Sequence, residues 1–569
     1  MRTSQPYVPQ NVAILGGGTA GYLAALTLRA LHPNLELTLI YSSKVPISGV
    51  GEATTSEIVP FLHTVLGFDP GEFYREVAPT WKLGIKFIWG PTQNPFFNYP
   101  FDRGPLLEAY LYEGHARNGS LVSALMTEDG SPFLSSNGSS ISLLPDLPFA
   151  YHLDNRKFVQ FLRRKATERN IRHLDHKIID ACLCPDGETI DHVITADGQT
   201  LKYDFYVDCT GFRSLLLEQK LGSSFRSYGS SLYTDSAVVA SAGHAGLIKP
   251  YTTAETMDHG WCWNIPQVDE DHLGYVFSSA FCSEEEAIAE MQQKHPGMHD
   301  PWVVKFRSGR HAHFIKGNVA AIGNSYGFVE PLESTAIFVI CRQCLLLGLN
   351  LTAASNGSPV QDWLSATVGN MWDYLRWFLA IHYRFNSRVE TPFWRECQAG
   401  VDVSGAEPIL ALYRDRAPLS YGGNCGDPCR GHSFDGHSFD GHSFGGHSFD
   451  GHAFDGYNFA PCRNPGNGHN FDAFGYDVLL FGQGVPAQRI PPRQSRDEYF
   501  DYSKKIKSIA AGAMRQAPAL NVLLRDKPEL LASQSWIPRL AETMLRVCRE
   551  GVPGRATSCE TGGEALAAG

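Results

Sequence analysis

The 569-residue chain lacks the clustered Lys and Arg that a nucleic-acid surface needs: its net charge is −11 and only 19% of it is charged. It also lacks an uninterrupted apolar run long enough to cross a bilayer. The most apolar stretch, residues 336–354 (AIFVICRQCLLLGLNLTAA), is broken by Arg342 and Gln343 and reads as a buried helix. The opening MRTSQPYVPQ has no basic region followed by an apolar core, so it does not read as an export signal, and a cytoplasmic location is the expectation. The 13 cysteines show no ligand spacing. Cys425 and Cys429 form no zinc pattern, and Cys209, Cys262 and Cys282 sit in apolar or motif surroundings, as reduced thiols do. These absences predict no nucleic-acid partner, no membrane association and no metal.

What is present is a hydrophobic fraction of 43%, ordinary for a globular protein, and a length that predicts two to four structural units. Residues 11–16 (NVAILG) read as a strand, followed by a glycine turn, a helical pattern over 22–31 and a second strand over 35–41. The turn, Gly16-Gly17-Gly18-Thr19-Ala20-Gly21, carries glycine at positions one, three and six. Gly16 permits the tight turn, Gly18 lets a pyrophosphate approach the backbone, and Gly21 lets helix and strand pack closely. The helix N-terminus then offers unpaired N–H groups to the phosphates. The acidic residue expected for the ribose is missing, and Tyr41-Ser42-Ser43 stands in its place.

Further along, residues 154–170 read as an amphipathic helix and 193–207 as a hairpin turning at Asp197-Gly198. The segment 361–394 reads as helical and aromatic-rich. From Gly431 a five-residue unit recurs six times (GHSFD, GHSFD, GHSFG, GHSFD, GHAFD, GYNFA), a period of neither helix nor strand. Its histidines, His432, His437, His442, His447 and His452, read as products of repeat expansion rather than as a preformed metal site. The expected organisation is a cofactor-binding core over 1–400, a low-complexity insertion over 404–475, a helical region over 476–550 and a disordered tail over 551–569.

The chain resembles the flavin-dependent tryptophan halogenase family. The matching segments, in order, are GGGTAG at 16–21, GVGEAT at 49–54, TWKLGIKF at 80–87, GWCWNIP at 260–266, GNSYGFVEPLESTAI at 323–337, HYRFNSR at 382–388 and TPFW at 391–394, with weaker agreement over 476–486. The resemblance implies an α/β, glutathione-reductase-like FAD-binding fold with a mixed substrate-side sheet and a C-terminal helical region. It implies FAD, used as FADH2, held by Gly16, Gly18, Thr19, Ala20 and Gly21, by Val50, Gly51, Glu52 and Ala53, and by the strand-end returns containing Asp208, Gly323 and Phe328.

By the same resemblance Lys82 is the catalytic lysine, able to hold hypohalous acid or to be halogenated, and its apolar setting favours the neutral amine. Lys86 fits a surface lysine better. Glu333 is the second catalytic residue, polarising the halogen donor or taking the ring proton, with Glu330 as the competing carboxylate. The backbone N–H groups of Thr335 and Ala336 correspond to the binding site for chloride or bromide. Trp261 and Trp263 alternate along one strand, which puts both indoles on one face as a wall between flavin and substrate.

Tyr99-Pro100-Phe101 replaces a His-Pro-Phe segment of the tryptophan-specific relatives, so Tyr99 and Phe101 are substrate-side residues, and indoles, phenols and peptide-linked aromatics stay open as substrates. No second GxGxxG is evident, so a separate flavin reductase is expected to supply FADH2. A homodimer is left open. The competing readings are a flavin monooxygenase that hydroxylates an aromatic ring and a flavoprotein without activity.

Overall fold

The computed structural model describes residues 9–45, 52–136, 139–244, 246–355, 361–424 and 471–533. Two sheets organise them. The first has six strands in the order Arg172–Asp175, Glu36–Tyr41, Asn11–Leu15, Phe205–Asp208, Val319–Ala321 and Ile315–Lys316, parallel except for the last pair. Val12 to Leu15 are all buried, as a parallel strand covered on both faces requires. The helix Thr19–Leu31 follows the first strand and packs between the helices Asn155–Glu168 and Ala336–Ser355.

The second sheet has seven strands, in the order Met298–Lys305, Ser236–Ala242, Asp271–Phe277, Gly260–Pro266, Thr252–Met257, Gly84–Ile88 and Phe97–Pro100. All of its pairs are antiparallel except Thr252–Met257 with Gly84–Ile88, so the sheet is mixed. A small three-stranded sheet, Glu52–Ala53, Ala150–Leu153 and Thr80–Lys82, supplies Lys82. The helix Ala336–Ser355 is largely buried between residues 337 and 352, and no described helix is long and apolar enough to cross a membrane.

Three sequence expectations need adjusting. The Asp197-Gly198 hairpin joins Ile190–Thr195 to Thr200–Leu201 only; Phe205–Asp208 leaves it to pair with Asn11–Leu15 in the first sheet. The helix expected over 361–394 is two helices, Gln361–Phe385 and Pro392–Gly400. Asn386 breaks it by turning its side-chain carbonyl to the Gly90 and Arg388 N–H groups, and Thr391 caps the second helix with Pro392 in its first turn.

Residues 404–424, read as the leading flank of the low-complexity insertion, are folded. They form Ser404–Ala406, Glu407–Arg416 and Leu419–Asn424, anchored by buried Leu410, Tyr413 and Tyr421. At the C-terminus the described helices run from Arg496–Ala511 to Pro528–Ser533. The GHSFD repeat, residues 534–550 and the tail lie outside the described residues.

Candidate active site

A cavity of about 990 Å³ opens at the C-terminal edge of the parallel sheet. One end is lined by Gly16 to Ala20, Tyr41, Ser42, Ser43, Arg156 and Arg163. Gly16 sits at φ +127°, and a side chain on it would strike the Cys209 carbonyl at 2.2 Å. A Cβ on Gly21 would lie 1.9 Å from the Gly16 carbonyl, so Gly21 serves helix–strand packing and is not part of the cavity wall. A Cβ on Gly18 would meet nothing within 4 Å, because Gly18 faces the open cavity.

Where the ribose-binding acid is missing, Tyr41 carries the Arg163 guanidinium over its ring at 5.0 Å, and Arg163 donates to the Tyr41 hydroxyl at 2.7 Å. Glu52 and Ala53 line the wall, and burial pushes the Glu52 carboxyl up to about 7. Val50 and Gly51 lie outside the described residues.

Besides Gly21, two more expected cofactor residues stand behind the wall. The fully buried Asp208 carboxylate accepts from the N–H groups of Thr210, Leu216 and Leu217 and from the Thr210 hydroxyl. Those bonds satisfy it, so it shapes the return, and Cys209 to Arg213 line the cavity in its stead. Gly323 turns the chain at φ +65° and donates to Gln343 Oε1 at 3.0 Å, while Ile322, Asn324 and Phe328 face the cavity.

The other end is lined by Thr252, Trp263, Ile265, Phe328, Pro331, Ser334, Ala336 and Ile337. Trp261 packs against Trp263 with ring centroids 5.9 Å apart, but only Trp263 of the two lines the cavity, so the two-indole wall is one indole backed by another. Ala336 opens the helix Ala336–Ser355, where N–H groups lack helical partners and suit an anion. Thr335 is buried just outside the lining.

Ser334 links the cavity wall to a buried lysine. Its hydroxyl accepts from Lys82 Nζ at 2.7 Å. Lys82 is fully buried, and desolvation, tempered by Glu333, lowers its ammonium to about 7. Glu333 Oε1 lies 2.8 Å from His382 Nε2. The Nδ1 of His382 faces the Phe378 carbonyl at 3.0 Å, and a carbonyl only accepts, so Nδ1 carries a hydrogen. The Glu333–His382 contact then holds one proton, on either the acid or the imidazole. Burial also raises the Glu333 carboxyl above the usual carboxylate range. Glu330 is equally buried, but its two oxygens accept from Thr234 and Tyr383, and nothing points it at Lys82.

On the far side of Lys82 the Phe101 ring lies 5.6 Å from Nζ. Tyr99 is fully buried with its hydroxyl unpartnered among the described residues. Burial raises it well above the usual tyrosine value, and Glu333 is the next largest cause. Lys86 is not the surface lysine expected. It is mostly buried, donating to the Tyr251 hydroxyl at 2.7 Å and paired with Asp129 at 3.7 Å. Sequence reasoning quoted His382 and Ser334 inside motifs without giving them roles; only their long-range contacts reveal those roles. Among the described residues no cluster of His, Cys, Asp or Glu could hold a metal.

The glycine-lined cavity is linked through Ser334 to the buried Lys82 amine, and the Glu333–His382 contact lies within electrostatic reach of that amine. The tryptophan halogenase family model matches residues 11–494. The chain is 31% identical over 462 residues to tryptophan 7-halogenase RebH of Lentzea aerocolonigenes, covering 72% of this chain and 85% of the relative. Among solved structures it is similar to MibH, a lanthipeptide tryptophan 5-halogenase, at 42% identity and TM-score 0.82, covering 94% of this chain and 97% of that one. BrvH, a flavin-dependent halogenase from Brevundimonas sp. BAL3, aligns at 25% identity and TM-score 0.73, covering 91% and 99%. The chain belongs to the tryptophan halogenase family and is a flavin-dependent halogenase.

Proposed function

We propose that this enzyme uses FADH2, oxygen and chloride or bromide to halogenate the indole of a tryptophan residue carried within a peptide. The observation that carries the halogenation chemistry is the sealed Lys82 amine, bonded to Ser334 on the cavity side and next to Glu333 on the other. The cavity fits FAD in a glutathione-reductase-like arrangement. Gly16 to Ala20 would hold the pyrophosphate, Tyr41 and Arg163 the adenosine end, and Trp263, Ile265 and Phe328 the ring system. When bound in its reduced form, FAD supplies the electrons that activate oxygen, so that a halide is oxidised to the level of hypohalous acid.

Everything after that belongs to the chain. The helix start at Ala336 concentrates halide. Trp263 keeps the aromatic substrate out of the cofactor cavity, which disfavours hydroxylation. Lys82 receives the hypohalous acid as a hydrogen-bond donor and aims it across Phe101. Glu333, backed by His382, removes the proton that electrophilic substitution displaces. With a single GxGxxG in the sequence, a separate reductase supplies FADH2.

Support for the peptide comes from the 42% identity to the lanthipeptide enzyme, against 31% to RebH, and from Tyr99 in place of histidine. The test is a panel of free tryptophan, indole, simple phenols and tryptophan-containing peptides with FADH2, oxygen and bromide, read by bromine isotope pattern. The reading predicts kcat/KM for a peptide at least about tenfold above free tryptophan, the scale of one well-fitted pocket contact. Preference for the free amino acid would contradict the peptide assignment, and a product gaining only oxygen would contradict halogenation.

A further inference from the structure

Behind the ring end of the cavity runs a polar chain that the reaction above does not use. Thr252 lines the cavity beside Trp263 and Ile265. Its Oγ1 lies 2.9 Å from Nε2 of His152, a buried residue on the strand Ala150–Leu153. The other ring nitrogen, Nδ1, lies 3.2 Å from Thr80 Oγ1, and that hydroxyl donates to the Pro266 carbonyl at 2.7 Å.

The direction of each proton follows. A carbonyl only accepts, so the one hydroxyl proton of Thr80 is committed to Pro266, and Thr80 Oγ1 accepts from the His152 Nδ1–H. His152 is neutral, because burial holds it well below the usual histidine value and Lys82 lowers it further. A neutral ring with its hydrogen on Nδ1 has a bare Nε2. Thr252, a cavity-lining residue, therefore donates its proton to His152, and its Oγ1 keeps only lone pairs for any further partner.

We propose that His152 fixes Thr252 as an obligate hydrogen-bond acceptor that makes this cavity prefer the reduced cofactor to the oxidised one. Reduced flavin carries a ring N–H in its central ring where oxidised flavin carries a lone pair. An acceptor that cannot rotate into a donor stabilises the first and repels the second. An enzyme fed by diffusing FADH2 gains from this, because the spent cofactor leaves more readily than the fresh one. The inference rests on the flavin reading of the cavity.

The experiment measures dissociation constants for FAD and for anaerobic FADH2 on the intact protein, and the midpoint potential of the bound flavin. The comparison is among wild type, Thr252→Val, Thr252→Ser and His152→Phe, with melting curves confirming the fold. The wild type is expected to favour FADH2. Thr252→Val should cut the ratio of the two affinities by about tenfold, which lowers the two-electron midpoint potential by about 30 mV. Thr252→Ser should keep the preference, and His152→Phe should narrow it although Thr252 is present. An unchanged ratio and potential in Thr252→Val overturns the inference and leaves the flavin site standing. Failure of the wild type to bind either oxidation state overturns both.

Discussion

Lys82 shows how burial changes the acid–base behaviour of a single lysine. A lysine with no exposed surface and one neutral hydrogen-bond partner gives up its proton far more easily than one in water, hence its fall to about 7. The same fall has a thermodynamic consequence. Between about pH 7 and the ordinary lysine value the unfolded chain binds more protons at this position than the folded one, so the Lys82 contribution makes stability rise with pH across that window. Lys82→Met should therefore melt above the wild type at pH 6.5, an advantage on the order of a few kcal/mol that shrinks as pH approaches about 10. Calorimetry of both proteins across that range checks the sign.

Glu333→Gln keeps shape and the His382 contact but removes the proton acceptor. Halogenation should slow by about 10²-fold or more while FAD affinity stays unchanged, as single-turnover kinetics and flavin titration would show. At this scale the motifs named Lys82 and Glu333, and the structure buries both within electrostatic reach of each other. The sequence misled at Asp208, where a carboxylate at a strand end is consumed by local N–H groups, and at Lys86, whose partners Tyr251 and Asp129 lie far away in the chain.

At the scale of elements, the glycine turn separates packing from binding. Gly21 is wedged against the Gly16 carbonyl, while Gly18 borders empty cavity. Gly21→Ala should lower the melting temperature sharply, because backbone cannot yield to a Cβ 1.9 Å away. Gly18→Ala should melt like the wild type yet lose about tenfold or more in FAD affinity, because its methyl group projects where a pyrophosphate approaches. Thermal melts and flavin titrations on both variants distinguish the two roles. The opening strand, turn and helix were legible because hydrophobic periodicity and glycine spacing are local. The fate of Phe205–Asp208 was not, since a four-residue apolar strand looks the same in a hairpin and in a parallel sheet.

At the scale of the whole molecule, segments far apart in the chain tie the core together. The Trp81 N–H, one residue from Lys82, donates to Gln516 Oε1, and Gln516 also donates to the Lys249 carbonyl at 3.2 Å. Glu108 gathers Tyr421 and the N–H groups of Arg493 and Gln494 onto the core. That is why residues 404–424 fold although their composition resembles a linker: tertiary contacts supply what local pattern does not. Gln516→Ala leaves a buried N–H without an acceptor, a loss of about 1–3 kcal/mol. It should lower the denaturant midpoint and, by loosening the strand that bears Lys82, the yield of halogenated product per FADH2 consumed.

The central claim is that a halogen made in the cofactor cavity reaches the substrate only through the amine of Lys82. Its most direct test is a single-turnover reaction of wild type and Lys82→Ala with FADH2, oxygen, bromide and a tryptophan-containing peptide, read by mass spectrometry. The account predicts a brominated peptide from the wild type. It predicts none from Lys82→Ala, although that variant binds FAD and oxidises FADH2 at the wild-type rate. Brominated peptide in equal yield from both proteins would contradict it.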